Sequence, residues 1–239
     1  FIDLATFDEV DKYFYGGEKA ATYFVRETRK STWFTQIPVQ LTNTQGSGPN
    51  FSNRSSVFYE INRHGDYFLN TWVQITLPRV VATQTSAANT SPVSICDRYI
   101  MWTPNLGHNI ICHADVKFND QSVSPNGGIT PQYLDFWAAF TVPTDKAGAY
   151  NTMIGNTSDL CTPHNVLPEK TLYIPLPFFY TLDSGVALPM AALPYNVIKV
   201  NVQYENLANL LLSVDCPQPQ HDSPIRNAVP SDYTVTDNN

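Results

Sequence analysis

The sequence predicts an all-β chain, a sandwich or barrel of antiparallel strands, and three observations predict it. Four stretches alternate apolar and polar residues with a period of two. Loops rich in Gly, Ser, Pro, Asn and Thr separate the apolar runs. Prolines spread from Pro163 to Pro194 forbid a long helix there. The alternation carries most weight. In Trp33–Leu41, Trp33, Thr35, Ile37, Val39 and Leu41 point one way and Phe34, Gln36, Pro38 and Gln40 the other. In Val197–Tyr204, Ile198, Val200, Val202 and Tyr204 share a face opposite Lys199, Asn201 and Gln203. Tyr67–Leu77 and Ile110–Phe118 repeat the pattern. Only an extended strand puts every second side chain on one face.

Taken in order, residues Thr6–Tyr15 read as a short amphipathic helix. Leu4, Phe7, Val10 and Phe14 recur at spacings of three and four, and Thr6 with Glu9 has capping-box spacing. Asp8, Glu9 and Asp11 suit the positive end of the helix dipole, and Gly16-Gly17 ends it. So short a helix must dock on its own domain or on a neighbour. Strands follow near Tyr23–Arg26, Trp33–Leu41, Ser56–Ile61, Asp66–Leu77, Asn109–Phe118, Thr171–Pro177 and Val197–Tyr204, with a further candidate at Leu210–Val214. Pro38 cannot donate to a ladder and marks an edge or bulge. Residues 43–53 and 81–92 read as loops, and Pro125-Asn126-Gly127-Gly128 as a turn. A short helix fits Gln132–Thr141, with Tyr133, Trp137 and Phe140 on one side. The longest irregular insertion is Pro143–Lys170, and loops of that length carry function or contacts. From Cys216 onward there are four prolines and no good alternation, and the segment reads as a linker or long loop. The expected organisation is an N-terminal arm at 1–17, a β-sandwich at 18–215 and a linker at 216–239.

Composition excludes several functions. The 239 residues are 43% hydrophobic and 13% aromatic, enough for a substantial core. Charged residues are only 15%, which suits either a partner-covered surface or one rich in Asn, Thr, Ser and Gln. The net charge is -7 and the densest basic patch, Arg26, Arg29 and Lys30, is broken by Glu27, so direct nucleic-acid binding is not expected. Cys96, Cys112, Cys161 and Cys216 form no CxxC pair, and their low density favours an intracellular folding site. Cys112 reads as a plain buried thiol. No transmembrane segment is expected, because no stretch approaches the roughly 18 apolar residues of a membrane span.

The search for chemistry is nearly empty. His64, His108, His113, His164 and His221 show no ligand spacing, and HExxH, GxSxG, P-loop and GxGxxG motifs are absent. No catalytic residue, metal site or cofactor is expected, and the chain reads as no enzyme. Glu60 and Asp115 are strand carboxylates that the sequence does not bring together, though glycoside hydrolysis needs only such a pair. Trp33, Trp72, Trp102 and Trp137 suit either sugar stacking or core packing. Asn50, Asn53, Asn89 and Asn156 head sequons in loops and are the candidate glycosylation acceptors.

Ordered blocks then point to a family. They begin with Phe1-Ile2-Asp3-Leu4-Ala5-Thr6-Phe7, Tyr15-Gly16-Gly17, Thr22-Tyr23-Phe24-Val25 and Trp33-Phe34-Thr35. Gly65-Asp66-Tyr67, Trp102-Thr103-Pro104-Asn105, His108-Asn109, Phe118-Asn119-Asp120, Tyr133-Leu134-Asp135, Phe140-Thr141 and Met153-Ile154-Gly155-Asn156 follow. The longest runs from Leu176-Pro177-Phe178-Phe179-Tyr180 through Asp183-Ser184-Gly185-Val186-Ala187-Leu188-Pro189 to Leu193-Pro194-Tyr195-Asn196. In these blocks the chain resembles the major capsid proteins of iridoviruses and related nucleocytoplasmic large DNA viruses, marseillevirus-like ones included. The resemblance implies a viral jelly roll, an eight-stranded sandwich of two sheets, here the first roll of a double jelly-roll. It implies a structural protein of the virion, assembled in the host cytoplasm. Homotrimers would form pseudo-hexagonal capsomers of an icosahedral double-stranded DNA virus shell. The implied partners are the chain itself, neighbouring capsomers and minor capsid proteins under the shell, with an inner viral membrane nearby. Leu4, Phe7, Val10 and Phe14 are the expected assembly contacts of the arm. The second roll is missing, so the chain reads as a fragment or an incomplete sequence; alone it would leave a sheet edge unpaired. The alternatives are a carbohydrate-binding β-sandwich or a virion receptor-binding domain.

Overall fold

The computed structural model describes residues 31–83, 98–124, 128–214 and 225–236. The chain divides into two compact units, Phe1–Pro38 and Val39–Asn239. In the first, residues 31–38 are exposed and carry no regular secondary structure.

The second unit begins with β1 (Asn43–Gln45), β2 (Ser55–Glu60), β3 (Tyr67–Phe68), β4 (Trp72–Leu77), β5 (Arg79–Ala82) and β6 (Tyr99–Trp102). The one-turn helix α1 (Leu106–Ile110) runs straight into β7 (Ile111–Phe118). Asn119 and Asp120, at φ 48° and 67°, make a two-residue turn into β8 (Gln121–Ser122). Helices α2 (Pro131–Thr141), α3 (Ala147–Ile154) and α4 (Ser158–Cys161) precede β9 (Val166–Leu167) and β10 (Lys170–Pro175). After short 3-10 turns come β11 (Leu188–Pro189), β12 (Ile198–Tyr204) and helix α5 (Leu207–Leu210). The described chain closes with β13 (Leu211–Val214), β14 (Ile225–Asn227) and β15 (Tyr233–Thr236).

One layer is an antiparallel five-stranded sheet ordered β1-β2-β12-β7-β8. Its register sets Val202 between Val57 and Ala114, and Val200 between Tyr59 and Val116. These residues face the core, where Val57, Ala114, Val116, Ile198, Val200, Val202 and Tyr204 are buried. The opposite side of the core is covered by shorter ladders: β10-β4, β15-β5-β9 and β14-β13-β6. The last two join where Ile100 and His164 exchange backbone hydrogen bonds of 2.9 Å. Val73, Ile75, Leu77, Val80, Leu172 and Ile174 from these ladders share one apolar cluster with the five-stranded sheet. Side chains from both sides thus interdigitate over a single core, the arrangement of a jelly roll.

Several expectations stand corrected. Trp33–Leu41 is not a strand: Ser31–Thr42 has no regular secondary structure, and the nearest strand is β1. A strand needs a neighbour's backbone groups, and among the described residues none pairs with this segment. The Asp66–Leu77 run splits into β3 and β4, and the front of the Asn109–Phe118 run lies in α1. The supposed loop at 81–92 begins inside β5, and β6 was not expected. The insertion Pro143–Lys170 holds α3, α4 and β9. The last residues are not all linker, since β14 and β15 ladder to β13 and β5. The expected helix at Thr6–Tyr15 and strand at Tyr23–Arg26 lie outside the described residues.

Asp232 anchors the turn that leads into the short strand β15. Its carboxylate is buried and meets Arg98 Nη1 and Arg226 Nη1, both at 2.6 Å. It also accepts the Val229 N–H at 2.9 Å. Burial opposes the charge, but the hydrogen bonds from Arg226 and Val229 and the charges of Arg98 and Arg226 outweigh it. Together they hold the carboxyl below its ordinary range.

Candidate assembly surface

Four of the blocks singled out in the sequence converge in a helical clasp. Asn105 caps α1 in the left-handed region at φ 52°, which asparagine tolerates. Its side-chain amide donates to Asp135 Oδ1 at 3.2 Å, and its oxygen accepts from Asn156 Nδ2 at 2.8 Å. His108, 1% exposed, lies between Asp135 Oδ1, 2.6 Å from its Nδ1, and the Tyr150 hydroxyl, 2.7 Å from its Nε2. A carboxylate only accepts, so the network places a proton on Nδ1, while Nε2 shares a hydrogen bond with the Tyr150 hydroxyl. Burial, and then the Asp135 charge, push the Tyr150 hydroxyl up to about 12, which keeps it a donor. Both ring nitrogens are therefore engaged, and the group ties α1, α2 and α3 together.

Local sequence prepares the clasp. Thr130 caps α2 by accepting the Tyr133 N–H, with Pro131 at the first helical position. Gly107 lets α1 press against α3, since a Cβ there would stand 2.8 Å from the Ile154 carbonyl oxygen. Gly155 ends α3 at φ 79°.

The clasp turns a face of α2 outward. Leu134 is buried, while Tyr133, Phe136 and Phe140 follow at spacings of three and four and are exposed, the last two at 65% and 77%. The Phe136 and Phe140 rings touch at a tilt of 49°, with centroids 4.6 Å apart. Trp137, expected on the same side as Tyr133 and Phe140, is half-buried instead. On β4 and β10, Trp72 and Tyr173 are also exposed, and Phe179, Leu182 and Val186 add apolar surface on the turns after β10. No helix among the described residues is long and apolar enough to cross a membrane.

The sequence-predicted residues scatter. Leu4, Phe7, Val10, Phe14 and Asn89 lie outside the described residues, as do Cys96 and Cys216. Asn50 is half-buried, and its side-chain oxygen accepts the N–H groups of Ser52 and Asn53, both at 2.9 Å. Asn53 is exposed, and Asn156 is tied to Asn105. Cys112 and Cys161 are free and half-buried. Glu60 and Asp115 stand on opposite sides of β12, where the buried Asp115 accepts from Asn201 at 2.8 Å. Trp102 is core, whereas Trp33 is 94% exposed. Among the described residues no cluster of three or more His, Cys, Asp or Glu could hold a metal ion.

A family model described as "Major capsid protein N-terminus" matches residues 22–234. The major capsid protein of Invertebrate iridescent virus 6 is 46% identical over 220 residues, 89% of this chain and 44% of that protein. That of Frog virus 3 (isolate Goorha) is 41% identical over 221 residues, 89% of this chain and 45% of that protein. Among solved structures, the Faustovirus major capsid protein matches with a TM-score of 0.58 at 13% identity, over 81% of this chain and 46% of that one. That likeness is one of fold. The chain spans a little under half the length of the curated relatives it matches. With its family model running from residue 22 to residue 234, the chain belongs to the major capsid protein N-terminus family.

Proposed function

We propose that this chain is a jelly-roll wall element of a major capsid protein and acts by self-assembly rather than catalysis. The shell would be the icosahedral capsid of a large double-stranded DNA virus, built from homotrimeric capsomers in the host cytoplasm. The family match across residues 22–234 carries this reading. Two layers over one core supply stiffness, and the outward face of α2 supplies apolar contact surface. Neighbouring capsomers and minor capsid proteins under the shell are the partners. Leu4, Phe7, Val10 and Phe14 bury against the capsomer underside or such a minor protein. Asn53, exposed in its loop, is the sequon best placed to carry a glycan.

Size-exclusion chromatography with light scattering tests the assembly reading: trimers or larger species support it, and a monodisperse monomer at high concentration opposes it. Deleting residues 1–17 tests the arm. Loss of trimer or shell formation is expected, and unchanged assembly refutes the role given to the arm.

A further inference from the structure

The face of the five-stranded sheet that points away from the core holds a buried polar row. Pairing sets Phe58, Asn201 and Asp115 side by side across β2, β12 and β7, and alternation turns all three away from the core. Asp115 and Asn201 are nevertheless only 4% and 6% exposed. The Asn201 amide is held at both ends. Its Nδ2 donates to Asp115 Oδ1 at 2.8 Å, and its Oδ1 accepts from the Ser56 hydroxyl at 2.9 Å.

A lysine reaches the same row. Lys117 lies two positions beyond Asp115 on β7 and shares its face. Its Nζ stands 5.3 Å from the centre of the Phe58 ring on β2. Because β12 lies between β7 and β2, the side chain crosses β12 beside Asn201. Lys117 is also the diagonal neighbour of Asn201 in the ladder, a separation that long side chains span. The neighbouring lysine on β12, Lys199, is engaged by Asp120 at 2.9 Å.

We propose that Lys117 Nζ and Asn201 Cγ form an isopeptide bond, a covalent staple between β7 and β12, with Asp115 carrying the protons. Asp115 takes a proton from the Lys117 ammonium, and the free amine attacks Cγ to form the new C–N bond. The Ser56 hydroxyl hydrogen-bonds the amide oxygen as negative charge gathers there. The Cγ–Nδ2 bond then breaks. Both protons that Lys117 gives up pass through Asp115 to the departing nitrogen, which leaves as ammonium, and Asp115 is again a carboxylate. The exchange consumes only the two side chains. Holding amine and amide in one row supplies the proximity, and burial of Asn201 keeps water from competing with the amine.

Intact mass spectrometry of the full chain under denaturing conditions, followed by tryptic mapping, tests the proposal. The expected mass is below the sequence mass by one ammonia, with a branched peptide joining residues 117 and 201. Lys117→Arg keeps the charge on a half-buried side chain but cannot form the bond, and it should restore the full sequence mass. Asp115→Asn should restore it too, through loss of the proton carrier. The proposal falls if the native chain keeps its full sequence mass. It falls equally if ammonia is still lost in Lys117→Arg, which would assign the loss to cyclisation of Asn201 on its own backbone. A branched peptide that persists in Asp115→Asn overturns the role given to Asp115.

Discussion

In β12, Ile198, Val200, Val202 and Tyr204 enter the core, and the backbone ladders to β2 on one side and β7 on the other. In residues 33–41 the same alternation meets no ladder among the described residues, and Trp33, Phe34 and Ile37 stand 94%, 84% and 73% exposed. The two segments are alike in pattern and opposite in outcome. Alternation fixes which side chains share a face; a strand forms only when a second backbone accepts the pairing. A shorter case is β15, whose four residues Tyr233-Thr234-Val235-Thr236 are too few for a pattern to register yet ladder to β5, with Asp232 anchoring the preceding turn.

Paired substitutions sharpen this contrast, starting with the largest effect. Val202→Asp buries an unpaired carboxylate in the five-stranded sheet and should remove about 3–5 kcal/mol or prevent folding. Ile37→Asp should stay within about 0.5 kcal/mol in urea unfolding. An equal loss from both would break the comparison.

Asp232→Asn comes next, at about 3 kcal/mol, because it strips the buried partner from two arginines. The Asp232 carboxyl lies below its ordinary value in the folded chain. Its contribution is therefore complete above the unfolded value of roughly 4, and it is lost as pH falls through the lowered folded value. Unfolding midpoints measured from pH 7 downward should show a steeper acid decline in the native chain than in the variant.

Tyr150→Phe leaves His108 Nε2 without its hydrogen-bond partner and should cost about 1–2 kcal/mol in thermal unfolding. Phe140→Ser should change stability by less than about 0.5 kcal/mol while reducing self-association by light scattering. A large stability loss there would mean that the outward face of α2 is core.

Much of the five-stranded sheet was legible because its three middle strands are long and amphipathic: β2 and β12 fall within a residue of expectation, and α2 begins one residue before the expected Gln132–Thr141. The segments β5, β6, β14 and β15 have three or four residues each, too few for a period to register. Helix α3 has no capping side chain at Lys146, so its start carried no signal, although Gly155 marked its end. The clasp was illegible for another reason. His108 lies 27 positions from Asp135 and 42 from Tyr150, and no local spacing joins residues so far apart. What the sequence did hold was the blocks themselves, which named Asn105, His108, Asp135 and Asn156 without saying that they touch.

The central place of β12 also shapes how the protein is made. Its ladder to β2 pairs residues as far apart as Ser55 and Tyr204, 149 positions along the chain. During synthesis β2 and β7 emerge first, each with an open hydrogen-bonding edge, and they wait until the ribosome has delivered the strand that fits between them. Sheet closure is therefore a late event in biogenesis, slow by topology and exposed to misassociation while nascent chains are crowded together.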